Sequence, residues 1–259
     1  MIKNSSKKRI IEKIRYFYYY FNKMISIIVP VYNEEENIKE LHVRIVKAMN
    51  GYKDSYEIIF VDDGSNDRTL ELMRTLSPLK IISFQGNYGN TIALDAGIQH
   101  ANGDVLVFLD ADLQNDPAEI PLLLNKLRNG YDVVVGWRKN RKDSFKRKLF
   151  SWFANKMARF VLGSQIRDHG CALKAYRSRF IKDFRLWGSV QVFLPIIAKK
   201  RGARICEVIV NHYPRQAGSS KIKFSKMLRA GFDLLRIKFG LYSDNSVKSS
   251  YVIREIINQ

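Results

Sequence analysis

Val105-Leu106-Val107-Phe108-Leu109-Asp110-Ala111-Asp112-Leu113-Gln114-Asn115-Asp116-Pro117 is an apolar run that ends in two carboxylates one residue apart. Asp110 and Asp112 at the mouth of a buried strand can grip one hard divalent cation through oxygen ligands. A Mg²⁺ or Mn²⁺ held in that way keeps open positions for the oxygens of a substrate diphosphate and offsets charge as that phosphate leaves. The pattern therefore points to an enzyme acting on a nucleotide-activated donor. The same two acids would also serve to end a strand and cap a helix opening near Pro117, because Asp is common at strand-to-helix turns. Neighbouring segments have to decide between the two.

Outward from this run, short β-branched apolar stretches recur at 25–31, 58–61, 81–84 and 133–135. They are nearly continuous in apolar character, as strands buried on both faces are. Helical patterns lie between them near 35–49, 67–76, 89–100 and 117–129. This βαβ series predicts an α/β fold with a mostly parallel sheet and helices on both sides. Ligands of such sheets bind at the carboxyl ends of the strands, which directs attention to 30–36, 62–67, 85–90 and 110–116.

Polar clusters stand at those ends. After the first strand come Pro30, Val31, Tyr32, Asn33 and Glu34 to Glu36. Tyr32 could stack a base or pack on a loop, and Glu34 could bind a ribose or favour a helix dipole. The second strand ends in Asp62, Asp63 and Gly64, with the glycine supplying a tight turn and one of the carboxylates placed to accept from a nucleobase N–H. Each loop alone is explained by turn and cap chemistry. Three acidic strand ends in one sheet are harder to explain without a shared ligand.

Composition limits the partners. The 259 residues hold 44 Lys and Arg against 25 Asp and Glu, a formal charge of +19, which calls for nucleic acid, anionic lipid or a phosphorylated substrate. Cys171 and Cys206 lack metal-ligand spacing and fit a reducing compartment, and four scattered histidines argue against zinc. Lys or Arg interrupts every apolar stretch before the roughly 18 residues that a spanning helix needs. Residues 1–23, basic and then aromatic from Tyr16 to Phe21, have no secretory signal pattern; they would lie in a membrane interface, pack as a surface helix or form a disordered tail.

VPVYNEEENI at 29–38, VDDGSNDRT at 61–69, GNYGN at 86–90 and DADLQNDP at 110–117 together resemble, in order, the motifs of the inverting glycosyltransferases of sequence family 2, whose fold is called GT-A. The resemblance spans about residues 24–235. DLQNDP, Asp168 to Cys171, and Arg215 followed by Gly218 to Lys221 look most like the polyprenyl-phosphate sugar transferases, such as dolichol-phosphate mannose synthase and bacterial undecaprenyl-phosphate glucosyl transferases. The resemblance implies that Pro30, Tyr32, Glu34 and Asp62, with Asp63 beside it, meet the nucleoside of a UDP- or GDP-sugar. It implies that Asp110, Asp112 and Gln114 hold the metal and its diphosphate, and that Arg138, Arg215, Ser220 and Lys221 bind phosphates. A guanidinium clamps phosphate oxygens in a bidentate way, so the arginines have a physical basis beyond the match. Lys139, Arg141 and Lys142 read as solvated surface charge.

The second half fits a lipid acceptor. On 144–162, Phe145, Leu149, Phe150, Phe153, Met157, Phe160 and Val161 fall on one helical arc with Arg147, Lys148 and Arg159 mainly opposite. Phe224, Leu228, Phe232 and Leu235 repeat the pattern on 221–238 among Lys223, Lys226, Arg229 and Arg236. Such basic amphipathic helices either lie in a membrane interface or pack on the sheet, and with the net charge they favour an anionic membrane surface. Many bacterial members of the family continue into two membrane-spanning helices, whereas Ser243 to Gln259 is polar and short. That departure leaves a peripheral enzyme on the cytoplasmic face of the membrane, a shortened chain, or an anchor supplied by a partner subunit. The expected division is an N-terminal extension at 1–23, one GT-A domain at 24–240 and a polar tail at 241–259.

A phosphate monoester, with a second pKa of about 6, is mostly a dianion at neutral pH and attacks an anomeric carbon without a protein base. The expected reaction is one in-line displacement with inversion, with the metal and Arg215 stabilising the leaving group and Arg138 and Lys221 orienting the lipid phosphate. A sugar-hydroxyl acceptor would need a base, for which Asp168 is the candidate; Asp168 would otherwise bind hydroxyls or fix its loop. Nucleic-acid binding would explain the charge but not the acidic strand ends, which repel phosphates unless a metal is present.

Overall fold

The computed structural model describes residues 24–139, 141, 145–214, 224–240 and 251–259; for 145–150, 153 and 224–230 it describes the backbone alone. The expectations for residues 1–23 lie outside the described residues. An eight-stranded sheet is built from β1 (Ile25–Val31), β2 (Tyr56–Asp62), β3 (Lys80–Phe84), β4 (Val105–Phe108), β5 (Val133–Trp137), β6 (Lys174–Arg177), β7 (Ile205–Ile209) and β8 (Ile253–Asn258). The helices are α1 (Ile38–Met49), α2 (Thr69–Met73), α3 (Asn90–His100), α4 (Ile120–Arg128), α5 (Phe145–Leu162), α6 (Val190–Lys200) and α7 (Phe224–Lys238). The order across the sheet is β7-β5-β6-β4-β1-β2-β3-β8.

The expected mostly parallel sheet is present, with β6 and β8 as the two reversed strands. Both faces of the central strands are buried, which is why their sequences are apolar without alternation. Ile25, Ile27, Val29 and Val31 of β1 pack with α1 and α4 through Leu41, Ile45, Leu123 and Leu127. Ile28, Ile59, Val61 and Ile82 point the other way, onto Ala93 and Ala96 of α3 and Leu194 and Ile197 of α6.

Two reversed strands decide what reaches the site. In β6, Lys174 pairs with Phe108 of β4 and with Val135 of β5, so the chain leading into it, 168–173, arrives beside the carboxyl end of β4. Residues 253–258, expected within a polar tail, instead form β8 against β3, with Ile257 opposite Ile81 and Tyr251 stacked on Phe84 at 4.8 Å between ring centres.

Both amphipathic helices pack one face on the body and turn another outward. Ala158 of α5 and Leu234 and Ile237 of α7 are buried, whereas Phe160 is 85%, Phe232 69% and Phe239, just past α7, 67% exposed. The apolar arcs read from sequence therefore point partly into solvent: Met157, Phe160, Phe232 and Leu235 belong to the outer faces.

Candidate active site

The loops after β1 and β2 are stitched to each other. Asn33, held at φ 55°, donates its N–H to Ser65 Oγ at 3.0 Å and accepts from the Asn66 N–H at 2.9 Å. The Glu34 N–H donates to Thr69 Oγ1 at 2.8 Å, and Glu34 Oε2 accepts from Asn37 Nδ2 at 2.7 Å. Glu34 thus sits at the opening of α1 with its carboxylate beside the first turn, and Pro30 lines a cavity at the strand ends. Tyr32 is half-buried on the same loop.

Asp62 and Asp63 are buried and bonded to the chain itself. Asp62 accepts from Ser83 Oγ at 2.9 Å and from the Ser65 N–H at 3.0 Å. Asp63 accepts from the Tyr88 and Gly89 N–H groups at 2.6 and 2.8 Å, which fixes the loop ahead of α3; burial raises its carboxyl above the ordinary value against those two donors. Gly64 completes the turn at φ +70°, with the backbone carbon of Gly86 only 2.5 Å from where a Cβ would stand. Gly64→Ala is expected to cost about 2–4 kcal/mol, from the left-handed backbone and the collision together, read as a lower urea midpoint at unchanged slope.

The acidic pair lies one loop further on. Leu113 adopts φ 56°, a conformation uncommon outside glycine, and this turn lets the Gln114 N–H donate back to Asp112 Oδ1 at 3.1 Å. Gln114 also accepts the Tyr213 N–H on its carbonyl at 2.9 Å, and its Nε2 faces the Tyr213 carbonyl at 3.4 Å, which leaves the amide oxygen as the side chain's acceptor. Asp116 caps the turn of 3₁₀ helix at Pro117–Glu119, accepting from the Ala118 N–H at 3.0 Å. Burial first, and the neighbouring Asp112 carboxylate second, push the Asp110 carboxyl up to about 6. Two neighbouring carboxylates, with an amide oxygen alongside, form a donor set suited to a hard divalent cation. No cluster of three His, Cys, Asp or Glu side chains occurs among the described residues, so a cation here has to complete its shell with the Gln114 amide, water and substrate oxygens.

Arg138 and Asp168, thirty residues apart, form a nearly closed ion pair. Arg138 donates from Nε to Oδ2 at 2.8 Å, from Nη2 to Oδ1 at 2.9 Å and from its backbone N–H to Oδ2 at 3.2 Å. Burial opposes ionisation of Asp168, but the guanidinium overcomes it and holds the carboxyl below the usual range. Both side chains border a basic cavity of about 420 Å³ lined also by Trp137, Arg141, Trp152, Arg159 and Arg167. Arg141, expected as plain surface charge, is a wall of this cavity and donates to Ser151 Oγ at 2.6 Å. Arg167 lies over the Trp137 ring at 4.4 Å.

A second cavity, about 80 Å³, adjoins Asp110 and is lined by Asn90, His169, Lys174 and Gln191 among apolar neighbours. Lys174 is buried and donates from Nζ to the His169 carbonyl at 2.9 Å; burial lowers its ammonium to about 8. Sequence reasoning gave no site role to Lys174, Arg167, Trp137 or Trp152, met His169 only within the motif Asp168 to Cys171, and placed Arg159 only on the polar side of a helix; the one signal for His169 and Lys174 is their place in and after DHGC, five residues before and at the start of a very short strand. Arg215, Ser220 and Lys221 lie outside the described residues, although the segment that leads to them is tied at Tyr213 to the Gln114 loop.

The family described as "Glycosyl transferase family 2" matches residues 26–185. A dodecaprenyl-phosphate galacturonate synthase of Rhizobium johnstonii is 41% identical over 83% of this chain and 66% of its own length. An undecaprenyl-phosphate 4-deoxy-4-formamido-L-arabinose transferase of Pectobacterium atrosepticum is 42% identical over 82% of this chain and 67% of its own. The chain thus spans about two thirds of these relatives. Among solved structures, glucosyl-3-phosphoglycerate synthase from Mycobacterium tuberculosis, in complex with Mn²⁺, UDP and glucosyl-3-phosphoglycerate, aligns with TM-score 0.68 at 21% identity over 85% of this chain and 81% of that one, a likeness of fold.

Proposed function

The chain belongs to glycosyl transferase family 2, with the GT-A architecture, and from that premise we propose that it transfers a sugar, with inversion, from a UDP- or GDP-linked donor to a polyprenyl phosphate at a membrane surface. The observation that carries the acceptor class is the Arg138–Asp168 clamp. Asp168 is the acid that a sugar-hydroxyl acceptor would have used as base, and its carboxylate is spent on a guanidinium that keeps it ionised and weakly basic. An acceptor that arrives as a phosphate dianion needs no such base. Both curated relatives named above are polyprenyl-phosphate transferases, which supports the same class.

Residue roles follow from position. Pro30, Tyr32, Glu34 and Asp62 are assigned to the nucleoside on the family resemblance, with Asp63 beside them fixing the loop ahead of α3. Asp110, Asp112 and Gln114 would hold Mg²⁺ or Mn²⁺, which when bound offsets the charge of the departing nucleoside diphosphate. The solved relative's complex with Mn²⁺ and UDP supports a divalent ion. Arg138, Arg141, Arg159 and Arg167 make the basic cavity a receptor for the acceptor phosphate. Trp152 is both a wall of that cavity and 55% exposed, a route from phosphate to lipid chain. Arg215, Ser220 and Lys221 are assigned to the donor and acceptor phosphates on the family resemblance.

No described helix is long and apolar enough to cross a membrane. The outward Phe160 and Phe232, on basic helices, and Phe239, just past α7, support peripheral attachment to the cytoplasmic face through α5 and α7, with an anchoring partner subunit as the other means. On this reading residues 24–240 are the catalytic unit, and β8 completes its sheet.

The test is transfer of label from a panel of UDP- and GDP-sugars into an organic-extractable product with polyprenyl phosphate as acceptor. Activity is expected with Mn²⁺ or Mg²⁺, to vanish with EDTA and to return when the ion is restored. Donor binding without lipid product, where a control synthase works, would move the acceptor to a saccharide hydroxyl.

A further inference from the structure

His169 is buried, and neither of its ring nitrogens has a hydrogen-bond partner among the described residues. An imidazole left in that state loses its hydration without return, whereas an apolar side chain of similar shape would lose nothing. The ring does have packing, with Phe193 at 6.0 Å between centres, so filling space alone does not call for a histidine. What distinguishes the position is that it forms a wall of the cavity of about 80 Å³ that also contains Asp110. The backbone on either side is fixed: the His169 N–H donates to Asn155 Oδ1 at 3.1 Å, and its carbonyl accepts from Lys174 Nζ at 2.9 Å. The residue is therefore fixed at the cavity by backbone bonds, and its two ring nitrogens are left without partners among the described residues.

We propose that His169 is a specificity-determining contact to the sugar being transferred, pairing through one of its two unpartnered ring nitrogens with a hydroxyl of that sugar. The inference rests on the donor site proposed above. A sugar whose diphosphate is held at Asp110 and Asp112 has its ring within a few bonds of that pair, and the cavity adjoining Asp110 is where an edge of it enters. The space exceeds the roughly 15 Å³ that one water needs several-fold, which suits the hydroxyl-bearing edge of a pyranose rather than the whole ring. Apolar Leu94 and Phe108 on the lining meet C–H groups, and Asn90 and Gln191 offer further polar partners. Burial, then the Lys174 charge, push the imidazolium down to about 3, so the ring works as a neutral group with one donor and one acceptor nitrogen. A hydroxyl can answer either.

The experiment uses the full chain with Mn²⁺ and a panel of UDP- and GDP-hexoses that differ at single hydroxyls. Affinity for each sugar nucleotide and for UDP and GDP alone is measured for wild type, His169→Phe and His169→Gln, beside their melting temperatures. His169→Phe is expected to keep nucleoside diphosphate affinity within about twofold, weaken the preferred sugar nucleotide by about 10–100-fold and flatten discrimination between epimers. Its melting temperature should hold or rise, because an unpaired buried polar group is gone, and His169→Gln should restore part of the loss. Wild-type affinity and selectivity in the folded phenylalanine variant would overturn the inference while leaving the donor site standing; should that variant not fold, unchanged selectivity in His169→Gln together with wild-type turnover would do so. Failure of wild type to bind any nucleoside diphosphate would instead remove the donor site, and this inference with it.

Discussion

Asp112→Asn is expected to lower sugar transfer by about 10³-fold while leaving the fold intact. The asparagine oxygen can keep the 3.1 Å bond that Asp112 accepts from the Gln114 N–H, so the turn through Leu113 at φ 56° has no reason to open. What disappears is one of the two charges on which the proposed cation depends, and metal stabilisation of a leaving diphosphate is worth several kcal/mol, at about 1.4 kcal/mol per tenfold in rate. The measurement is kcat/KM with metal titrated to saturation, beside a thermal melt. Substantial residual turnover at saturating metal would sink the metal assignment; a lost melting transition would make the residue structural.

Asp168→Ala is expected to destabilise the protein by about 3–5 kcal/mol, because it removes the carboxylate that makes a bidentate ion pair with the largely buried Arg138 guanidinium. Asp168→Asn separates charge from shape. The carboxyl is depressed in the folded state, so its stabilisation is present above the unfolded value near 3.9 and is lost as pH falls through the lower folded value. Wild type should therefore lose stability in acid below about pH 4 more steeply than Asp168→Asn, in urea titrations at successive pH values. Between pH 6 and 8 the rate profiles of the two should have the same shape, whatever their heights. A steep new pH dependence in the asparagine variant would mark Asp168 as a base and the acceptor as a hydroxyl.

Much of the sheet is legible in the sequence because strands buried on both faces cannot be other than apolar: 25–31 and 105–109 read correctly to within a residue. β6 escapes because Lys-Ala-Tyr-Arg is four residues long and carries two charges, each given a hydrogen bond available only in the folded chain, Lys174 to the His169 carbonyl and Arg177 to that of Leu127. β8 escapes because Ile253, Glu255 and Ile257 alternate with exposed residues, an edge pattern that looks polar on average. The acidic loops read from the sequence as a candidate ligand site, but a carboxylate's partner is not written beside it. Asp62 and Asp63 carry a family's donor-binding pattern, but their bonds to Ser83, Ser65, Tyr88 and Gly89 could not be read from it, and neither could the arginine that Asp168 holds. The His169 cavity depends on β6 entering between β4 and β5, which no local pattern announces.

The antiparallel pairing of β3 with β8 has a consequence in time. Arg74 and Gln259, bonded beside that pairing, are 185 residues apart in the chain. At ribosomal rates of about 5–20 residues per second, β3 waits on the order of 10–40 s for the strand that covers it. Throughout that interval the apolar Lys80–Phe84 segment offers an open row of backbone donors and acceptors to any neighbouring nascent chain. Slowed translation late in the message should therefore lower soluble yield, and a version trimmed at residue 250 should make that exposure permanent.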